Sequence, residues 1–153
     1  MMFKKWISVL FVLLFVSGLA GCAQPAAEAP AAPASGEAAF KITGMVNAEQ
    51  AWSDAQLKVM ETATADSTGK DGSTTTYTGV AVVKLLEAAD VKEGAAIVAF
   101  VADDGYSAEL PLADVVACIN CIVGFRDDGK YQLVMPGFPG NAQVKGVVEI
   151  ILK

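Results

Sequence analysis

Histidine is missing from the 153-residue chain. Its absence excludes His-based triads, His-ligated metals and haems, and the HExxH zinc site. Serine and aspartate without histidine give no recognisable nucleophile–base pair, so nothing points to a hydrolase. Arginine is nearly missing as well, and none precedes Arg126. Cysteine is limited to three residues, Cys22, Cys118 and Cys121. With no histidine, a Cys118–Cys121 pair would need two further ligands from carboxylates or a second chain to make a tetrahedral zinc site. An iron–sulfur cluster meets the same objection more strongly. Basic residues number 11 against 17 acidic ones, a net charge of −6. Such a surface repels phosphate backbones, and nucleic acid is excluded as a partner. What the chain has in quantity is apolar residues, 54% of the total. That is too apolar for a disordered protein and enough for one domain.

Only one long apolar run occurs, Trp6 to Leu19, preceded by Lys4 and Lys5. It is shorter than the roughly 20 residues of a spanning helix, and residues 1–21 read as a targeting segment. The run ends in Leu19-Ala20-Gly21-Cys22, which resembles the lipobox of bacterial lipoproteins. By that resemblance Cys22 becomes the lipidated N-terminus, and the bilayer is a partner through its acyl chains. An uncleaved leader acting as an anchor is the alternative. Residues 22–39 are then the lipidated cysteine and a tether, in which Pro25, Pro30 and Pro33 interrupt any helix the alanines favour. The expected location is the cell membrane or outer membrane, facing the periplasm or the exterior. Ala23 after the cysteine leans toward the outer leaflet or cell surface.

Residues 40–153 suffice for one modest core. Lys41 to Val46 alternates as a strand, and Ser53-Asp54-Ala55-Gln56 has the spacing of a capping box opening a short helix. Val59 to Ala65 and Thr74 to Thr78 read as strands joined by the polar Thr68–Gly72 loop. Val80 to Ala89 changes period to that of a helix, with Val82, Val83, Leu85, Leu86 and Ala89 on one face. Ile97 to Ala102 is a central strand, and Tyr106 to Leu110 returns from it. Pro111 suits an early position in a helix through Val116. Ile122 to Phe125 and Tyr131 to Val134 form a hairpin across Asp127-Asp128-Gly129, and Gln143 to Leu152 closes the domain. The expected class is α+β, a mainly β sheet or barrel-like domain with two or three short helices.

Three stretches carry a family resemblance: Ile42 to Val46; Tyr77-Thr78-Gly79-Val80 running into Leu85 to Ala89; and Ala102 to Ser107 into Leu110-Pro111-Leu112. Tyr131 to Gly137 continues the same order. Together they resemble the molybdopterin-binding domain of the sulfite oxidase family in a minimal form. The resemblance implies a mainly β α+β fold, oxidoreductase ancestry and a cofactor pocket near Gly79-Val80. It also implies a cysteine thiolate on molybdenum before the Tyr-Thr-Gly-Val segment. Here Val59 to Asp66 has no cysteine and offers Glu61, Thr62, Thr64 and Asp66 instead. The family's arginine-containing turn is missing too. The balance leans against an enzyme and against any bound cofactor, with molybdopterin the less favoured outcome.

Cys118 and Cys121 form a Cys-Ile-Asn-Cys pair that an exporting compartment allows to oxidise. A local structural disulfide leads; a redox-active pair, a metal site and free thiols are the other readings. Asp103-Asp104 and Asp127-Asp128 each precede a glycine and read as turns before they read as carboxylate dyads or calcium ligands. Met135-Pro136-Gly137-Phe138-Pro139-Gly140-Asn141 is the most distinctive loop, either a ligand or partner surface or a crossover with Phe138 packed down. Trp52, Tyr77 and Tyr106 have both options as well. The candidate pocket is therefore Glu61, Thr62, Thr64, Tyr77, Gly79, Tyr106, Met135, Phe138 and Asn141, with no catalytic residue and no metal ligand assigned. The leading function is a membrane-anchored lipoprotein whose non-catalytic domain binds an unknown small molecule or protein. Thiol–disulfide exchange at Cys118 and Cys121 is one alternative. A pterin-binding oxidoreductase with a non-cysteine metal ligand is the other.

Overall fold

A computed structural model describes residues 38–153, so the leader, Cys22 and the Ala/Pro-rich segment up to residue 37 lie outside the described residues. Nine strands and three short helices follow one another within them. Strands Phe40–Gly44 (β1), Gln50–Trp52 (β2), Ile97–Ala102 (β5), Ser107–Pro111 (β6) and Val147–Leu152 (β9) make one sheet, in the order β2-β1-β9-β5-β6. Strands Thr62–Thr68 (β3), Thr74–Ala81 (β4), Ile122–Phe125 (β7) and Tyr131–Val134 (β8) make the second, in the order β3-β4-β7-β8. The β1–β9 pair is parallel and every other ladder is antiparallel. The α+β, mainly β class read from the sequence is the one observed.

One apolar cluster joins both sheets and the helices. Phe40, Ile42, Phe100 and Ile150 come from the first sheet, and Val80, Val123 and Leu133 from the second. Leu85 and Leu86 come from helix Val82–Ala89 (α2), and Val115 from helix Leu112–Ala117 (α3). Each such side chain gains about 1.5–3 kcal/mol from burial, set against chain entropy of similar total size. Tyr131 ties the first sheet to the second: its ring meets Phe40 edge-on at 5.9 Å. Its hydroxyl donates to Asp54 Oδ1 at 3.1 Å. Trp52 stacks on Phe40 with centroids 6.4 Å apart.

Helix Asp54–Lys58 (α1) opens on the expected capping box, in which Ser53 Oγ accepts from the Gln56 amide and Gln56 Oε1 accepts from the Ser53 amide. Several boundaries differ from the sequence reading. Strand β3 begins at Thr62, not Val59, because Val59 is the C-cap of α1 and is 84% exposed. The helix expected from Val80 begins at Val82, since Gly79 to Ala81 are held in the ladder to β7. Pro111 ends β6 and serves as N-cap instead of entering α3. Gly140–Ala142 is a 3-10 turn, and the closing strand starts only at Val147. Strand β2 was not foreseen; its three residues pair with β1 across a turn.

Candidate functional site

Strand β4 meets β7 over only three residues, Gly79 to Ala81. Its outer part, Thr74 to Thr78, runs beyond the sheet as a two-stranded ribbon with β3. The ribbon's turn is set locally: Gly69 N–H bonds Ser73 O, and Gly72 takes a φ of +81°. Asp71 Oδ1 accepts from Ser73 N at 3.1 Å and from Ser73 Oγ at 2.7 Å, and these bonds hold the Asp71 carboxyl below its usual pKa. Lys70 stands on this turn.

Across the second sheet, register aligns Gly79 with Gly124 and Gly124 with Gln132. Gln132 in turn bridges Lys145 on the segment beside β8. Residues opposite one another share a sheet face, so the row reads glycine, glycine, glutamine, lysine. Both glycines are obligatory. A Cβ on Gly79 would fall 2.0 Å from Val123 O. One on Gly124 would fall 2.9 Å from Tyr77 Cβ, so Gly124 leaves the space into which Tyr77 leans. Beneath Tyr77 on the same face lies a small apolar patch of Ala65, Ile122 and Val134.

The ribbon, the Gln132–Lys145 end of the row and the 3-10 turn line a cleft of about 630 Å³, with Lys70, Thr75, Tyr77, Gln132, Gln143 and Lys145 among its residues. Gln143 braces one wall with a paired bond to the Met135 backbone: Oε1 accepts from Met135 N at 2.9 Å and Nε2 donates to Met135 O at 2.6 Å. Gln132 is only 2% exposed. Its Nε2 donates to Leu133 O at 3.1 Å, while Oε1 has no hydrogen-bond partner. A buried acceptor left unpaired costs about 1–3 kcal/mol. Charge points the same way. Among the described residues Lys41, Lys58, Lys84, Arg126, Lys130 and Lys153 each pair with a carboxylate. Lys70, Lys92 and Lys145 do not, and two of these three line the cleft. A second recess of about 420 Å³ shares Thr75, Tyr77 and Lys145 with it and is also lined by Phe125, Arg126, Asp127 and Asp128.

Of the nine residues proposed from sequence, Tyr77 alone lines the cleft, and Gly79 sits opposite Gly124 in the ladder without lining it. The others lie elsewhere. Glu61 and Thr62 are exposed at the start of β3, away from the cleft wall. Thr64 borders a separate recess of about 310 Å³ with Asp66, Asn120 and Pro136. Met135 is completely buried in the core, and Phe138 packs against that core. Tyr106 donates its hydroxyl to Asn141 O at 2.8 Å, joining the β5–β6 turn to the Pro/Gly loop. Both acidic pairs form turns, with Asp104 accepting from Tyr106 N and Asp128 from Lys130 N. Cys118 and Cys121 are bonded in a disulfide between α3 and β7, with Cα atoms 5.5 Å apart. Cys121 is fully buried and its carbonyl accepts from Val82 N, the first amide of α2. The cleft residues that sequence reasoning missed include Lys70, Gln132, Gln143 and Lys145, together with most of the ribbon residues around the turn. A glutamine alone among Tyr131, Leu133 and Val134 was the one visible signal.

Residues 28–153 match the family described as oxidoreductase molybdopterin binding domain. The chain belongs to that family. A likeness of fold extends to the crystal structure of the sulfane dehydrogenase SoxCD from Paracoccus pantotrophus, with a TM-score of 0.63 at 18% identity. The alignment covers 74% of this chain and 37% of that one, so this member of the molybdopterin-binding-domain family spans little more than a third of that protein. No curated protein sequence matches the chain. The family's cofactor can be tested against the cleft's own donors. Hydroxyls, amides and two lysines suit the polar organic part of a pterin cofactor. A metal held by a protein thiolate does not fit: no cysteine lines the cleft, and the described thiols are bound to each other. Among the described residues no cluster of three or more acidic or thiol side chains is placed to hold a metal ion.

Proposed function

We propose that the chain is a lipid-anchored extracytoplasmic lipoprotein whose molybdopterin-scaffold domain binds a small polar molecule without turning it over. The observation that carries the binding role is the cleft between the β3–β4 ribbon and β8. Lys70 and Lys145, both without a carboxylate partner among the described residues, line it together with Tyr77, Gln132 and Gln143. Its volume of about 630 Å³ falls among small-molecule sites. The membrane anchor rests on Leu19-Ala20-Gly21-Cys22 and the apolar run before it. Thiol–disulfide exchange has less behind it. Cys118 caps the C-terminal end of α3, where the helix dipole opposes a thiolate, whereas reactive cysteines sit at N-terminal ends. A molybdenum site using Glu61 has less still, since Glu61 does not line the cleft.

Native mass spectrometry of the full chain, extracted in detergent from the membranes of its own host, tests this reading. The expected spectrum carries a small-molecule addition that disappears in the Lys70→Glu/Lys145→Glu variant while circular dichroism stays unchanged. Bare polypeptide mass in the wild-type chain argues against a binding role.

A further inference from the structure

We propose that strand β3 is a pairing edge for a second copy of this chain. The two β3 strands run antiparallel about Ala65, with Glu61 of each copy beside Lys70 of the other. The proposal goes beyond the binding role and does not rest on it.

A strand at the end of a sheet turns unpaired N–H and C=O groups outward, and such an edge templates a further strand unless it is guarded. Three of the four sheet ends here are guarded. Strand β2 is three residues long. Strand β6 carries Glu109 and finishes in Pro111, which has no N–H to give. Along β8, Leu133 N donates to Val144 O and Gly146 N donates to Tyr131 O, so the segment after the 3-10 turn covers that edge. Strand β3 has no such guard. It runs seven residues in unbroken register with β4, without a bulge, a proline or a lysine. Apart from Ala65 and Ser67 its residues are exposed. At its middle, Thr64, Ala65 and Asp66 border a recess of about 310 Å³.

The ladder fixes which of its groups are free. Gly69 N donates to Ser73 O, and hydrogen-bonded pairs alternate along an antiparallel ladder. Ser67, Ala65 and Ala63 therefore bond to β4, and Thr62, Thr64, Asp66 and Thr68 turn their main-chain groups outward. Among the described residues no other segment supplies those four with a backbone bond. They match themselves. A twofold axis at Ala65 sets Thr64 against Asp66 of the second copy and Thr62 against Thr68, each pair exchanging two bonds. Asp66, the one charged residue of β3, then meets threonine. An axis at Asp66 would set two carboxylates against each other, which destabilises a cross-strand pair.

Charges beyond the strand ends select the same register. Glu61 precedes β3 and Lys70 follows it, and neither has an ion-pair partner among the described residues. Lys84, which feels the Glu61 charge, is bonded to Glu87 at 3.0 Å. Asp71, beside Lys70, is held by Ser73. Pairing about Ala65 carries Glu61 to the level of Gly69 in the second copy, next to Lys70, and the twofold axis repeats the match. An axis at Thr64 draws the two apart. This charge match favours a second copy over an unrelated extended peptide, which gains the backbone bonds alone.

Native mass spectrometry of the full chain in detergent, across a dilution series, reads the association, and amide exchange reads the register. A dimer is expected, with the Thr64 and Asp66 amides protected in it and exposed on dilution. Glu61→Lys sets like charges together twice and raises the dimer dissociation constant about tenfold. Glu61→Lys/Lys70→Glu restores the wild-type value. Thr64→Pro removes an N–H that no bond within the chain uses, and blocks pairing at unchanged circular dichroism. Should Thr64→Pro disturb the fold, the charge exchange decides alone. A wild-type chain that stays monomeric at every concentration overturns the proposal, as does a dimer indifferent to Glu61→Lys and Thr64→Pro. A monomer whose Thr64 and Asp66 amides are protected also overturns it, since a strand of another protein then holds the edge. Any small-molecule addition in the same spectra bears on the binding role alone.

Discussion

Single residues in this domain do two jobs, and Tyr131 shows it most clearly. Its ring fills the core between Phe40 and Phe125, and its hydroxyl reaches Asp54 on α1. Burial is the main reason its pKa is pushed above the ordinary tyrosine range, with the Asp54 charge and the bond to it adding to the shift. A folded pKa above the unfolded value means that the stabilisation is complete below about pH 10. It is lost as pH rises from there through the folded value. Tyr131→Phe is expected to cost about 1 kcal/mol at pH 7, the worth of one hydrogen bond. It should also flatten the fall in urea midpoint above pH 10, which denaturation at pH 7 and pH 10.5 measures directly. At this scale the sequence told less than at any other. Gln132 was read only as part of the Tyr131–Val134 strand. It lies between Gly124 on one side and Lys145 on the other, a placement that pairing decides and local pattern does not. Met135 was assigned to a pocket because it sits in a Pro/Gly loop, yet the bonds from Gln143 fold its backbone inward.

Elements whose signals are local were read well. The capping box at Ser53, the amphipathic α2 and the Ile122–Phe125 and Tyr131–Val134 strands each depend on neighbours within a few residues. The three-residue β2 has too little pattern to announce itself and exists because β1 offers an edge. Likewise nothing between Thr74 and Ala81 separates the ribbon part of β4 from the part paired to β7. Only the second sheet's composition decides that. The Cys118–Cys121 bridge belongs to this scale, since it fastens the end of α3 to the start of β7, where the Cys121 carbonyl also receives the first amide of α2. Closing a loop of about four residues removes roughly 2 kcal/mol of unfolded-state entropy. The Cys118→Ala/Cys121→Ala variant is therefore expected to lose about 2 kcal/mol in urea denaturation and to keep its small-molecule addition in native mass spectra. A loss of that addition at full stability would instead tie the disulfide to the cleft.

For the whole molecule, membership of a molybdopterin-binding family and the thiol-free lining of its cleft pull apart, and under the proposed lipid anchoring a binding role is sufficient. A catalyst of this family would need an electron partner and a metal. A tethered binding domain needs only residence at the membrane and a ligand. In the proposed reading that residence hinges on one atom, the Cys22 sulfur, because the preceding apolar run is shorter than a spanning helix. Two or more acyl chains give stable anchoring where a single chain gives marginal, reversible binding. Cys22→Ser should therefore block acylation and leave the leader uncleaved by the lipoprotein route. Labelled palmitate is expected to enter the wild-type chain and not the variant. The wild-type band should also run smaller by the mass of residues 1–21. Equal labelling of both chains would place the acyl group elsewhere. No labelling of the wild type, with the chain still in the membrane fraction, would assign the anchoring to the uncleaved apolar run.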